Sequence, residues 1–369
     1  MQEFGCTPIP ILRGLCEKLR GMKLLNALRI PAVLALAALA TAVPQRAPLQ
    51  AQMSEEQGFQ GYLQLLSARA RGEGVSEGTI QAMTRGLTFN PRVIALDRSQ
   101  PGTTTSTTPP PFEPYRRQHV DAERIAGGRS MYQQITGLAP GLEQRYGVPA
   151  PVMLAIWGHE TNYGRYRGDF DLARSLASLA YEGRRRQLFA DEFIALMKMV
   201  DRGVPRERLY GSWAGAFGNP QFLPSVYLRI AQDGDGDGDR DIWTSRADTL
   251  ASIANYFRDA GWRTGQPWGV RAVVPAGLDR TQVVPRLESP SCARVHARHA
   301  RWKPVAEWRA MGVVPLGAIN DNVLATLIEP DGAGKTAFLL TGNYRVILEY
   351  NCSNYYALSV GLLADEIAR

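Results

Sequence analysis

Between Tyr115 and Phe257 the apolar residues recur at spacings of three and four, in Ile125 to Tyr146, Val152 to His159, Leu172 to Leu179 and Phe189 to Met199. That period belongs to helices that each bury one face, so the centre of the chain must be helix packed on helix. Gln57 to Arg98 continues the period upstream, with Tyr62, Leu63 and Leu66 on one face and Ile80, Met83 and Leu87 on another. Between the two stretches, Pro101 to Pro114 is a proline and threonine segment that no helix can cross, and it reads as a linker or a surface strap. From Val270 to Arg345 the texture changes to β-branched runs with turn signals, as in Val270 to Val274 and Thr336 to Tyr344 around Asp331-Gly332. Tyr350 to Ile367 returns to helix. The expected fold is mainly α (α+β), divided as 1–50 leader, 51–269 helical domain, 270–345 small β-containing subdomain and 346–369 closing segment.

The leader has its own logic. Met22 to Arg29 is short and basic, Ile30 to Val43 is apolar and rich in alanine, and small residues follow, which is the layout of a cleavable secretory signal. The run is too short for a confident membrane span. No cysteine follows it closely, so there is no evident site for a lipid anchor. Met22 starts a better signal than Met1, which would place Cys6 and Cys16 outside the mature chain. Cys292 and Cys352 then remain as an even pair in an oxidising compartment, either one disulfide or two buried thiols. The formal net charge is +7, and a mildly basic exported protein suits an anionic polymer, whether cell wall or nucleic acid. Ordinary surface charge would look the same.

Gly147 to Gly164 begins with prolines suited to a first helical turn and ends on a glycine suited to a stop. Glu160 falls in the last turn, with Met153, Ile156 and Trp157 on its side and no Lys or Arg four residues before it. Apolar neighbours and the negative end of a helix both disfavour a carboxylate, so this glutamate should hold its proton near neutral pH. A general acid needs that property to protonate an alkoxide leaving group. Alone, the residue would more often be structural.

Two further segments weigh against the structural reading. Gly211-Ser-Trp-Ala-Gly-Ala-Phe-Gly-Asn-Pro-Gln-Phe-Leu-Pro-Ser225 mixes small residues with Trp213, Phe217 and Phe222 and the polar Ser212 and Gln221. Aromatic faces and amide or hydroxyl groups suit sugar rings, although a tightly packed loop would also use them. The other segment is Glu349 to Ala357. Separately, Asp233, Asp235 and Asp237 alternate with glycine, and Gly238 stands sixth, as in a calcium loop of the EF-hand type. Position twelve is Thr244 and not glutamate, so Asp248 would have to close a longer loop, with Asp239 a further oxygen donor. The alternative is a solvated acidic turn.

Taken together, Gly158-His-Glu-Thr161, Gly211 to Gly218, Gln221-Phe-Leu-Pro-Ser225, Ala254-Asn-Tyr-Phe257, Gly261-Trp262 and Tyr350-Asn351 resemble the lytic murein transglycosylases of the membrane-bound transglycosylase B type, glycoside hydrolase family 103. The resemblance runs from about Tyr62 to the end. It implies a lysozyme-like helical core in which Glu160 acts first as acid and then as base, with no cofactor in the chemistry. The substrate it implies is the glycan strand of peptidoglycan. The bond cleaved would join N-acetylmuramic acid to N-acetylglucosamine, with a 1,6-anhydro end as product. It further implies Ser212, Gln221, Tyr256, Tyr350 and Asn351 around the sugar, Arg185 and Arg186 toward the peptide-bearing side, and Tyr115 on the glycan. Calcium in the aspartate loop would serve stability by holding the Gln221 loop and the Tyr256 helix in register. His159 and Asn219-Pro220 depart from the family pattern. A periplasmic monomer, acting with cell-wall remodelling proteins and not on nucleic acid, is the expected setting. Two alternatives stay open: a muramidase that uses Asp169 or Asp171 as a second carboxylate with water, and a glycan-binding module without catalysis.

Overall fold

The structure, a computed structural model, describes residues 47–100, 110–285, 289 and 291–369. The expected secretory signal and residues 101–109 of the strap lie outside the described residues. In chain order the first part comprises α1 (Ala47–Gly72), α2 (Glu77–Thr84), α3 (Pro91–Arg98), α4 (Phe112–His119), α5 (Ala122–Gln134), α6 (Ala139–Tyr146), α7 (Ala150–Thr161), β1 (Phe170–Asp171), α8 (Leu172–Glu182), α9 (Arg186–Asp201), β2 (Tyr210–Gly211), α10 (Pro224–Ile230) and α11 (Arg246–Asp259). The rest adds β3 (Gly269–Val273), α12 (Ala293–His296), β4 (Lys303–Pro304), α13 (Val305–Ala310), β5 (Val314–Pro315), β6 (Leu324–Ile328), β7 (Ala337–Leu340), α14 (Gly342–Tyr350) and α15 (Asn354–Ile367).

Helix starts follow capping side chains written in the sequence. Asn90, Asp121, Asp171, Ser245 and Ser353 each accept the backbone N–H three residues on, which pairs a donor that the helix itself leaves open. The period that runs from Ile125 to Tyr146 is split between α5 and α6, because Gly137 interrupts it and Pro140 restarts it in a first turn. The tail is likewise split between α14 and α15 at Asn351 to Ser353.

The described chain falls into two compact units, 110–169 with 216–369 and 47–100 with 170–215. The sequence places 51–269 in one helical domain, whereas this division runs through it, because α8 and α9 pack with α1, α2 and α3. In that second unit the rings of Phe59, Phe89 and Tyr181 meet at centroid distances of 5.6–5.8 Å. Gly58 permits the approach of α1, since a Cβ there would stand 2.3 Å from the Tyr181 hydroxyl.

In the first unit, α7 is buried along its whole length, as expected of a helix that is apolar on every side. It packs against α5, α6, α11 and α15. The antiparallel five-stranded sheet has the order β4-β6-β7-β3-β5. Its central strand β7 is buried on both faces: Phe338 and Leu340 join the helical core with Ile328, while Ala337 and Leu339 join a separate core around Trp308 and Val305. A slip of one residue would exchange the two sets, so the register that seats the sheet on the helices is strongly specified. Cys292 and Cys352 form a disulfide in this unit. No helix among the described residues is long and apolar enough to cross a membrane.

Candidate active site

The last turn of α7 presents Glu160, and two residues in left-handed conformation, Asn162 at φ 49° and Tyr163 at φ 59°, end the helix there. The stop therefore belongs to Asn162 and not to Gly164, since Asn tolerates that conformation through its short polar side chain. The reversal folds Tyr163 back over the helix, where a Cβ on Gly158 would stand 2.6 Å from its hydroxyl. Glycine at this point of the Gly158-His-Glu-Thr161 motif is thus a packing requirement.

Glu160 is 6% exposed, among Met153, Ile156 and Trp157, which are all buried. Its Oε1 accepts a hydrogen bond from the Tyr356 hydroxyl at 2.5 Å. Burial pushes the carboxyl up to about 8, and the Tyr356 hydrogen bond offsets part of that rise. No Asp or Glu of the same unit contributes to the shift. The group is therefore protonated at neutral pH by its surroundings and not by a second acid.

Tyr356 was not singled out by the sequence. It lies 196 residues from its partner, in the first turn of α15, and a tyrosine there reads as core. Its signal was the packing of α15 on α7, which places the start of one helix beside the end of the other. Tyr350 is half-buried, and the Glu160 charge contributes to holding its hydroxyl well above the usual range, behind desolvation as the first cause. It donates to the Pro220 carbonyl at 2.5 Å, and its ring lies 4.7 Å from that of Tyr256. Tyr256 donates to the Glu349 carbonyl, and burial pushes its hydroxyl up to about 12. Phe222 packs against both rings.

Gln221 is held at φ 53° beside the paired Phe217 and Phe222 backbones, and its Nε2 donates to the Gly218 and Arg167 carbonyls. Both amide hydrogens are thereby committed, and the buried Oε1 has no hydrogen-bond partner. Asn351 caps α14, donating its backbone N–H to Ile347. Tyr115 stacks on His119 at 3.8 Å, and the His119 ring lies 6.0 Å from that of His159, which is fully buried and close to Tyr356. Burial holds His159 well below its usual range, so it is neutral.

Ser212, Arg185 and Arg186 belong to the second unit. Ser212 is buried just after β2. Arg185 pairs with the buried Asp97 and lies over the Phe189 ring, while Arg186 donates to the Tyr181 carbonyl and lies over the Tyr62 ring. Within the first unit, then, Glu160, Tyr350 and Tyr356 come together with Tyr256 and the Gln221 turn adjoining.

In the aspartate loop the carboxyl oxygens of Asp233, Asp235 and Asp248 lie within 4.8 Å of one another. Asp237 and Asp239, which the spacing includes in the wider set, stand outside this triad. Asp237 accepts the Asp239 N–H within the loop. Asp248 is fully buried and accepts the Gly234 and Asp241 N–H groups, fastening the loop to α11. Gly234 must be glycine, because a Cβ would stand 2.3 Å from the Ala247 carbonyl. Three convergent carboxylates are a donor set suited to a hard divalent cation.

A carboxyl buried at the end of an apolar helix and raised to about 8 has the property required of a general acid in glycan cleavage. Residues 58–365 match the Transglycosylase SLT domain family, and the chain belongs to that family. It is 28% identical over 278 residues to membrane-bound lytic murein transglycosylase B of Escherichia coli (strain K12), covering 72% of this chain and 71% of that one. It also resembles SltB3 from Pseudomonas aeruginosa, solved in complex with NAG-anhNAM-pentapeptide, at 37% identity and a TM-score of 0.75 over 84% of this chain and 79% of that one. The Escherichia coli lytic transglycosylase Slt35 in complex with calcium matches at 25% identity and a TM-score of 0.68, covering 83% of this chain and 92% of that one.

Proposed function

We propose that the chain is an exported lytic transglycosylase that cleaves peptidoglycan glycan strands between N-acetylmuramic acid and N-acetylglucosamine, with Glu160 as acid and then base. The observation that carries this reading is the buried Glu160 carboxyl, met by one hydroxyl and pushed up to about 8. With Tyr356 donating to Oε1, the acid proton sits on Oε2, free to pass to the glycosidic oxygen as the bond to C1 breaks. The muramic acetamido oxygen assists at C1, a substrate-assisted exception to two-carboxylate schemes. The carboxylate so formed then takes the proton of the sugar's 6-hydroxyl, whose oxygen closes on C1. The product is a 1,6-anhydro end, Glu160 recovers its proton, and no water is consumed.

Gln221 Oε1 suits the amide hydrogen of an acetamido group. The hydrolytic alternative needs a second carboxylate to activate water. Asp171 is already committed as the cap of α8 and to Arg206, and Asp169 is exposed, which favours the transglycosylase. Calcium, bound by Asp233, Asp235 and Asp248, would brace the loop between α10 and α11 and take no part in the reaction. The basic, then apolar leader supports export to the periplasm. Digestion of purified sacculi followed by mass spectrometry tests the reading. Anhydro ends, lighter than reducing ends by one water, are expected, and Glu160→Gln should abolish them. Reducing ends as the main product would overturn it.

A further inference from the structure

Ser289 to Lys303 contains Arg294, Arg298, Arg301 and Lys303 together with His296 and His299, and no Asp or Glu. A basic run of this kind is ordinarily a solvated surface with a loose backbone. Here it is fastened at three points to one place. The Cys292–Cys352 disulfide ties its start to the residue before the Ser353 cap of α15. The Asn354 side chain donates to the Val295 carbonyl, and its Oδ1 pairs with His299 Nε2 at 2.7 Å. Asn354 is itself buried and held by the Tyr344 hydroxyl. The arm is therefore anchored to Cys352, two residues after Tyr350, and to Asn354 in the first turn of α15, two residues before the Tyr356 that touches Glu160.

The charges on that arm are unevenly exposed: Arg294 lies open, while Arg298, Arg301 and Lys303 are half-buried. Arg294 and Arg345 of α14 are exposed, and Arg345 acts electrostatically on both His296 and His299. Arg298 lies 5.6 Å from the Tyr355 ring, with one N–H on the Pro330 carbonyl. Opposite charge is supplied by Glu349, one turn beyond Arg345 on α14, whose carboxylate accepts the Ser291 hydroxyl. Arg294, Arg298 and Arg345 thus bring three guanidinium groups to this stretch, against Glu349 at its start and Asp331 beside Tyr355, on a backbone held still, and guanidinium forks are matched to carboxylates.

We infer that the disulfide-fastened arm, through Arg294, Arg298 and Arg345, is a specificity surface that receives the carboxylates of the peptide stem on the glycan being cleaved. This rests on the proposed glycan-cleaving function and adds a peptide-reading surface to it. Arg185 and Arg186, the pair that the sequence resemblance assigns to that side, are engaged with Asp97 and with the Tyr62 ring and Tyr181 carbonyl respectively.

The test compares the full chain with its Arg294→Ala/Arg345→Ala variant, both sites being exposed. Each is assayed on GlcNAc-MurNAc strands that carry their stem peptides and on the same strands stripped of peptide by an amidase. The expected result is a KM raised about fivefold on peptide-bearing strands and unchanged on stripped ones, the size of two exposed charge contacts. The Arg294→Lys/Arg345→Lys variant should recover part of the loss, and raised salt should shrink the difference between the substrates. An equal change on both substrates, or none on either, would overturn the inference while leaving cleavage intact. A parent protein that cleaves neither strand would remove the catalytic reading itself, and the inference with it.

Discussion

Glu160 and the aspartate loop are built from the same functional group and end in opposite states. Glu160 is buried, meets a single hydroxyl, and is pushed up to about 8. Asp233 accepts the Gly236 and Gly238 N–H groups of its own loop and is held below its usual range, chiefly by those backbone hydrogen bonds. Asp248 lies between the two. Burial and the charges of Asp235 and Asp233 raise it, while two backbone donors pull it down. The number of N–H and O–H donors aimed at a carboxyl, set against how much water it loses, decides whether the group becomes a proton donor or a cation ligand.

The largest expected effect that sharpens this comparison is on activity. Glu160→Gln keeps the shape of the side chain and removes its proton, so the turnover of sacculi should fall by about a thousandfold or more. A mutant within tenfold of the parent would break the assignment.

The same substitution should act on stability in the opposite sense. A folded carboxyl raised from 4.5 to about 8 binds a proton that the unfolded chain has lost between those values. The folded state is therefore favoured below the unfolded value, and that contribution is lost as pH rises through about 8. Urea unfolding of the parent should weaken by about 3 kcal/mol more than that of Glu160→Gln between pH 5 and pH 8. Parallel curves for the two proteins would contradict the raised value.

For the loop, Asp248→Asn turns an acceptor of two N–H groups into a group that presents a donor to one of them. About 2 kcal/mol of stability should be lost in chelator-treated protein. Added calcium should raise the parent's melting temperature and have a much smaller effect on Asp233→Asn/Asp235→Asn. An equal calcium response in both would show that the triad holds no cation.

The smallest change is Tyr356→Phe. Its hydroxyl lowers the Glu160 value, so removing it should move the basic limb of kcat/KM to higher pH by about half a unit to one unit. A limb that moves to lower pH would show that the hydroxyl serves some other purpose.

How far the sequence reached follows from the range of the forces involved. The apolar α7, its terminal glutamate and the convergent aspartates were legible, because helical period and loop spacing are local. Tyr356 and the role of Asp248 as the fastening of the loop were less so, since each depends on a contact across a helix pair or a turn. Asp237 and Asp239 were included by spacing alone, whereas a backbone N–H within the loop engages Asp237. The division that separates Ser212, Arg185 and Arg186 into the second unit has no compositional mark in the chain, because α8 and α9 follow α7 as further apolar-faced helices.

The most direct test of the account is a side-chain titration. In protein labelled with carbon-13 at the glutamate carboxyls, one resonance should titrate near pH 8 and be missing from Glu160→Gln. If every glutamate carboxyl titrates below about pH 5, in the ordinary range for exposed groups, Glu160 is not held as an acid at neutral pH and the account fails.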